Sequence, residues 1–450
     1  MRAALLAIVA ATACSSPPSF VCETNVDCVS ETGEPGICES NGSCTFADST
    51  CPTTNRRYPD GASGSLASQC LAPEKSCVSQ LAVGSSHSCA LRSDGTVWCW
   101  GLDDEGQVGT AGADQTTPVE VLRLPSGHLA TAVTAGENFA CALIDNGTVW
   151  CWGGDGAKQL GQCTMTPPES SSTPLEVITY AAGNPPTCNA SNPFHAKQIS
   201  AGGQHACAIG VDDKLYCWGE NQVGAHGGQA GQDPLVFDDV PGPLALGFDG
   251  AVEVQAGDEY SCVVKDEHSV WCFGANTLGE LGTGGTTDSF TPVNVPGLAD
   301  AESLVIDDET ACIQTRDGAL WCWGNGTTGI FGANLSDNVL SPARITTAAK
   351  AYGGGTAETI CLGQNDGVVE CFGANDSAQA AVDGDANITM PTPAPLVTVT
   401  SASLGADHSC AVTTDGAIWC WGDNSHGQLG NGTTSDAPTP IPTRVTWSCP

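Results

Sequence analysis

The sequence predicts an all-β chain built of repeats, arranged as a propeller or a solenoid. Cysteines recur ten residues apart seven times: Cys89 and Cys99, Cys141 and Cys151, Cys207 and Cys217, Cys262 and Cys272, Cys312 and Cys322, Cys361 and Cys371, Cys410 and Cys420. Successive copies begin 52, 66, 55, 50, 49 and 49 residues apart. Each copy sets a turn signal between its cysteines and an aromatic-rich segment around the second. The first reads CALRSDGTVWCWG from Cys89 and the last CAVTTDGAIWCWG from Cys410.

The unit between the cysteines is a β-hairpin. In the first copy Asp94-Gly95 is flanked by alternating Leu91, Val97 and Trp98-Cys99-Trp100, and the glycine suits the left-handed position that ends a three-residue loop. With Ser93-Asp94-Gly95 as the loop, Arg92 faces Thr96 and Cys89 faces Cys99 on a non-hydrogen-bonded pair. Opposed Cα atoms lie about 4.5 Å apart there, within reach of a disulfide. All seven pairs are read as cross-strand disulfides; zinc sites use C-x-x-C-type spacings that these pairs lack. Asp213 and His268 replace the glycine in copies three and four, and both residue types visit positive φ more readily than most. The residue after the second cysteine is aromatic throughout: Trp100, Trp152, Trp218, Phe273, Trp323, Phe372 and Trp421. These rings are expected to pack between neighbouring repeats rather than to present a sugar-stacking surface.

The composite AGxxHSCALxxDGxVWCWGxNxxGQLGxG resembles the repeat of the regulator of chromosome condensation family. Gly422 to Gly430 matches it most closely, with Gly101 to Gly109 and Gly274 to Gly282 as further instances; the sixth copy has Ala378, Ala380 and Ala381 in its glycine-rich segment. The resemblance covers residues 79 to 449 and implies a seven-bladed β-propeller of four-stranded blades. It carries function less far. The founding eukaryotic member is a nuclear exchange factor for a small GTPase, whereas other bacterial propellers resembling the family are binders, including a secreted β-lactamase inhibitor. Fold alone does not choose between these.

Export is the next expectation. Met1-Arg2 followed by the apolar run Ala3 to Ala13 reads as a signal peptide (residues 1–13), too short for a permanent membrane helix. Ala11-Thr12-Ala13-Cys14 fits a lipobox as well as an ordinary cleavage site. Of 25 cysteines, 24 remain to pair if Cys14 is acylated. The chain is therefore expected to be an outer-membrane lipoprotein of bacterial type, or otherwise secreted. A tether at 14–21 and a cysteine-rich module at 22–78 then lead into the propeller at 79–450. The module carries Cys22, Cys28, Cys38, Cys44, Cys51, Cys70 and Cys77, and so small a core needs disulfides. Cys163 and Cys188 in the long second repeat are expected to pair with each other, pinning an excursion from Thr164 to Pro193. Cys449 is then expected to bond back to the module.

Charge narrows the partners. The net charge of −36 comes from 50 acidic and 14 basic residues and repels nucleic-acid phosphates and anionic lipid headgroups. His87, His205 and His408 recur two residues before a first cysteine, where Phe139, Tyr260, Thr310 and Thr359 stand in other copies; a repeated packing or hydrogen-bonding role is expected for them. Asp103-Asp104-Glu105, Asp258-Glu259 and Asp307-Asp308-Glu309 supply oxygens without the periodic loop of a known calcium site. Asp307 stands where other copies have glycine. There is no G-x-S-x-G elbow, H-E-x-x-H or phosphate-binding glycine loop leading into a helix. No cofactor, metal or catalytic residue is assigned. The expected function is a non-catalytic, surface-anchored, monomeric binding scaffold. It would take a protein or glycan at the cell surface through its blade-connecting loops and touch the membrane only through a lipid. The alternatives are an extracellular carboxylate-dependent hydrolase or lyase, and a family-like guanine-nucleotide exchange regulator.

Overall fold

The computed structural model describes residues 78–447 except 111, 165–167, 182–186, 223–227, 332–336, 348–349, 354–357, 365–366, 385 and 397, with short backbone stretches at 37–38, 44–47 and 56–57. The expectations for Cys14, Cys449, the side chain of Cys188 and the side chains of the module cysteines lie outside the described residues. The short stretches Ile37–Cys38, Cys44–Ala47 and Arg56–Arg57 form a small antiparallel sheet of their own.

Ser76–Trp447 is one compact unit, a propeller of seven four-stranded antiparallel sheets with strands in chain order. Blade 1 comprises Val78–Val83, His87–Arg92, Val97–Gly101 and Gln115–Glu120. Blades 2 to 7 begin with the strands Ala130–Ala135, Ala196–Ala201, Ala251–Ala256, Ala301–Ile306, Lys350–Tyr352 and Val399–Leu404. Six of the seven neighbouring pairs of first strands pack together around the axis, that of blade 7 on that of blade 1 included. Among the described residues no strand is exchanged to close the ring. Cross-blade bonds serve instead, including Trp100 Nε1 to Gln428 O (2.8 Å) and Gly432 N to Thr116 O (2.8 Å).

The hairpin register is the expected one. Cys89 pairs with Cys99, Ala90 with Trp98 and Leu91 with Val97, and Gly95 N donates to Arg92 O at 2.9 Å with φ 82°. Asp213 and His268 hold the same left-handed place at φ 65° and 63°. The same register repeats around the ring and places the seven ten-residue cysteine pairs face to face. Cys89 is bonded to Cys99, Cys141 to Cys151, Cys207 to Cys217, and Cys262 to Cys272. Cys312 is bonded to Cys322, Cys361 to Cys371, and Cys410 to Cys420. All seven are disulfides with Cα atoms 4.1 Å apart. Cys163 is disulfide-bonded as well.

The seven aromatics after the second cysteines are all buried. The five tryptophans donate their indole N–H to a backbone carbonyl of the preceding blade: Gln428, Gln107, Gln159, Glu280 and Gln379, at 2.7–2.9 Å. Each ring thus fills an inter-blade gap while its polar atom is satisfied. In the second repeat, Ile178–Ala181 and Thr187–Pro193 form an extra hairpin. Its first strand lies against the outermost strand of blade 3, Asp239–Asp249; nearby, Cys163 N donates to Pro241 O of that strand at 2.6 Å, and Tyr180 meets the ring of Phe237, just before it, edge-on. The excursion is therefore part of the packed perimeter.

Candidate functional site

In an antiparallel blade, the connections from first to second and from third to fourth strand emerge at one end, and the remaining connections at the other. The first end is acidic. Glu137, Asp258, Glu259, Asp308, Glu309, Glu358 and Asp407 lie on the first-to-second connections, and Glu105, Glu280 and Asp376 on the third-to-fourth. Among the described lysines and arginines only Lys158 belongs to these connections, and it is held by Asp239 at 3.3 Å. All the others described lie in strands or toward the opposite end.

The acid is densest between blades 4 and 5, where Asp258, Glu259, Tyr260, Ala275, Thr277, Glu280, Asp308 and Glu309 line a cleft of about 290 Å³. Among the described residues no lysine, arginine or histidine lines it. Blades 4 and 5 carry acids at both the third and the fourth position before the first cysteine, where blade 1 has Ser86 and Ser85. Glu280 adds a fifth carboxylate. It takes the place of the glutamines Gln107, Gln159, Gln229, Gln379 and Gln428 of other blades, and keeps their local role by accepting a bond from Leu278 N at 2.9 Å.

Crowding shows in the protonation. Burial, then the neighbouring Asp258 and Glu309, push the Asp308 carboxyl up to about 9. Asp258 rises to about 6 through burial and then Glu259, while its bond with the Asp308 side chain holds it down. The two carboxyl groups therefore share a proton across the blade interface. In the adjoining blade 3, Glu220 rises to about 7 through burial and the charges of Asp258 and Glu259. Below the cleft, Asp307 is buried, with Oδ1 accepting from Thr310 N at 2.6 Å and Oδ2 without a partner among the described residues. Other blades need glycine here; a Cβ on Gly202 would fall 2.0 Å from Gly257 O. Blade 6, which follows Asp307 around the ring, departs from the pattern. Tyr352 pairs with Cys361 nine residues on, whereas Ser403 pairs with Cys410 seven residues on.

The remaining sequence candidates have structural duties. Asp103 accepts from Val108 N and Thr110 Oγ1, Asp104 from Gln107, and Glu105 from Asn138. His205 and His408 are buried singly, with Nε2 2.7 Å from Ser261 and Ser88 of the next blade. His87 finds Ala140 at the corresponding place, and neither of its ring nitrogens has a partner among the described residues. Burial holds all three neutral, at about 3 for His87 and about 4 for His205 and His408. No group of three histidine, cysteine or carboxylate side chains among the described residues is placed to hold a metal ion. Glu280, Glu220 and Glu358 were missed by motif reading. The signal for Glu280 is departure from the repeated glutamine, and that for Glu358 is recurrence with Glu259, Glu309 and Asp407 three residues before a first cysteine; both are seen only when the copies are laid over one another.

A closed ring of seven disulfide-stapled blades with an acidic end defines the chain as a repeat propeller. The sequence matches the RCC1-like domain over residues 27–361 and the regulator of chromosome condensation (RCC1) repeat over 399–428 and again over 415–448. The chain belongs to the RCC1-like domain family. It is similar to the ultraviolet-B receptor UVR8 of Arabidopsis thaliana, 29% identical over 48% of this chain and 45% of that one. It is also similar to protein pim1 of Schizosaccharomyces pombe, 27% identical over 47% and 39%. It thus spans less than half the length of these curated relatives. Among solved structures, human WBSCR16 superposes with a TM-score of 0.66 at 20% identity, covering 78% of this chain and 95% of that one. Yeast RCC1 (Prp20), solved with Kap60, gives 0.50 at 21% identity, covering 82% and 75%.

Proposed function

We propose that the protein is an exported, surface-tethered scaffold that binds a partner protein through the acidic face of its ring. The partner inserts a lysine or arginine side chain into the cleft between blades 4 and 5. The carrying observation is the gathering of five carboxylates from blades 4 and 5 in a cleft lined by no cationic side chain among the described residues, where burial and mutual repulsion raise both Asp258 and Asp308. An incoming ammonium or guanidinium lets both ionise and converts repulsion into charge-assisted hydrogen bonds. A face of one sign also steers a basic partner to its site. Protein binding fits a family with a member solved in complex with Kap60. Export is supported by seven disulfides, which persist in oxidising compartments, and by the apolar run Ala3 to Ala13 before Cys14, which reads as a signal peptide.

Calorimetric titration of the full chain with a lysine-rich peptide tests this. The double variant Asp258→Asn with Asp308→Asn is compared with Asp94→Asn with Asp212→Asn at the opposite end. The reading predicts binding that weakens with salt, tightens between pH 6 and pH 8.5, and falls roughly tenfold or more in the first variant only. Equal loss in both variants, or no pH dependence, means general acidity and no cleft. The same proton-sharing pair favours a second reading, a carboxylate-dependent hydrolase. Against it, the described cleft lining offers no cationic side chain to stabilise a developing oxyanion. Turnover of a glycoside or peptide library that Asp308→Asn abolishes would establish that reading in place of binding.

A further inference from the structure

A second cavity, of about 510 Å³, opens at the hairpin end of blade 5, the end of the ring opposite the acidic cleft. Its walls come from the connection into the blade (Gly297 to Asp300), the hairpin turn (Thr315 to Asp317) and Trp321 of the third strand. Trp321 precedes the second cysteine of its copy, a position that is aromatic in six of the seven copies. In the other five the ring is covered. Trp98 has Trp447 at 5.7 Å and the Arg92 guanidinium at 5.5 Å, and Trp271 has Phe248 at 5.6 Å and the Lys265 ammonium at 5.8 Å. Tyr216 has Phe194 at 5.0 Å, while Trp150 and Trp419 pack against the hydrophobic core. Over Trp321 there is neither a ring nor a cation among the described residues, and the half-buried indole forms a wall of the cavity.

Local substitutions account for this. Thr315 stands where Arg92 and Lys265 do, three residues after the first cysteine, so no cation covers the ring. Ala319 stands where Thr96, Thr148 and Ser269 accept the indole N–H of Trp98, Trp150 and Trp271 at 2.9–3.2 Å. The Trp321 N–H consequently makes no hydrogen bond to a described residue. Arg316 is the one cation at a position held elsewhere by Ser93, Asp145, Val211, Asp266, Asn365 and Thr414. Its guanidinium donates to His268 Nε2 at 2.6 Å, and His268 Nδ1 in turn donates to Ala301 O at 3.0 Å. The histidine that replaces glycine in the fourth hairpin thus fixes an arginine in the cavity wall. Asp317 uses Oδ1 for Thr315 Oγ1 and Ala319 N, and Asp300 is exposed with no side-chain hydrogen bond to a described residue.

We propose that this cavity binds a neutral saccharide. The C–H face of a pyranose ring lies on the electron-rich face of Trp321. Arg316 and the indole N–H donate to the ligand's oxygens, and Asp300 and Asp317 accept from its hydroxyls. The volume is that of a small-molecule site. A cation fits less well because Arg316 is held in the wall, and an anion less well because two carboxylates line it. The site shares no residue with the acidic cleft and stands or falls separately.

The test is saturation-transfer NMR and calorimetric titration of the full chain with the methyl glycosides of glucose, galactose, mannose and N-acetylglucosamine, beside choline. Trp321→Ala, Arg316→Met and Thr315→Lys are compared with Leu122→Ala, an exposed residue at the same end of the ring. Near-ultraviolet circular dichroism shows that each variant keeps the fold. Millimolar or tighter binding of at least one glycoside is expected, weakened roughly tenfold by Trp321→Ala and several-fold by Arg316→Met. Thr315→Lys restores the cation that covers Trp271 in blade 4 and should close the site, whereas Leu122→Ala should change nothing. Failure of every glycoside to bind overturns the proposal, as does binding indifferent to both Trp321→Ala and Thr315→Lys. Tighter binding of choline than of any glycoside overturns the ligand class.

Discussion

A single hydroxyl group separates the surroundings of His87 from those of its two counterparts. His205 and His408 each meet a serine of the following blade, at Ser261 and Ser88. His87 meets Ala140 instead, and both its ring nitrogens are buried without a partner among the described residues. A buried polar group left unbonded costs roughly 1–3 kcal/mol. Ala140→Ser should therefore stabilise the fold by about 1 kcal/mol, read as a rise in denaturation midpoint under non-reducing conditions. The reverse change, Ser261→Ala, orphans His205 and should lower the midpoint by a comparable amount. A neutral Ala140→Ser would show that the His87 ring tolerates desolvation in some other way. The recurrence of these histidines is visible in the sequence, but their partner is not. The serine sits in another copy, and only the closed ring brings the two together.

At the scale of the strand and turn, the sixth copy shows how far the repeat can drift before its geometry gives way. Ala378 and Ala381 adopt φ 57° and 58°, where the seventh copy has Gly427 at 79° and Gly430 at 63°. The turn's hydrogen bonds are kept: Ala378 N to Asn375 O and Ala381 N to Ala378 O are both 3.0 Å. The left-handed conformation costs a non-glycine residue about 1–2 kcal/mol, partly offset by the smaller entropy an alanine loses on folding. Ala378→Gly and Ala381→Gly should each stabilise by about 0.5–1 kcal/mol, checked by urea titration of the oxidised protein. Destabilisation by either would mean that its methyl contributes more in packing than it costs in strain. The hairpins, disulfides and inter-blade tryptophans were legible in the sequence because each is local and recurs around the ring. The blade 6 register was not. Nine residues separate Tyr352 from its partner Cys361, where seven separate Ser403 from Cys410, and spacing from the cysteine alone gives the wrong register for this strand. Of the acidic cleft, Asp258-Glu259 and Asp307-Asp308-Glu309 were visible as groups. Their meeting across blades, with Glu280 beneath them, follows from ring closure and not from any local pattern.

For the whole molecule, the segregation of charge makes stability a function of pH. Asp308, Asp155, Glu220, Glu253 and Asp258 have folded values of about 9, 7, 7, 7 and 6, burial being the first cause in each, against about 4 in the unfolded chain. The folded state therefore binds more protons than the unfolded one between pH 4 and those values. The stability these groups contribute is fully present below pH 4 and is lost as pH rises through 6 to 9. The three buried histidines act in the opposite sense. Their folded values of about 3 to 4 lie below the unfolded 6.5 or so, so their contribution is intact above pH 6.5 and is lost as pH falls toward 4. Between pH 9 and 6.5 only the carboxylates are in play, and melting temperature should climb as the solution is made more acid. Below 6.5 the two groups oppose each other and the climb should flatten. Salt should raise the alkaline end most, because it screens the crowded face. Asp308→Asn separates this account from a general charge effect: it removes the group with the highest value, so the fall in stability should shrink across pH 4 to 9, and most visibly between 7 and 9, while the profile below pH 4 stays as it was. A profile unchanged by Asp308→Asn would place the alkaline instability elsewhere on the ring. It would also leave the blade 4–5 cleft without the electrostatic strain that a cationic partner is proposed to relieve.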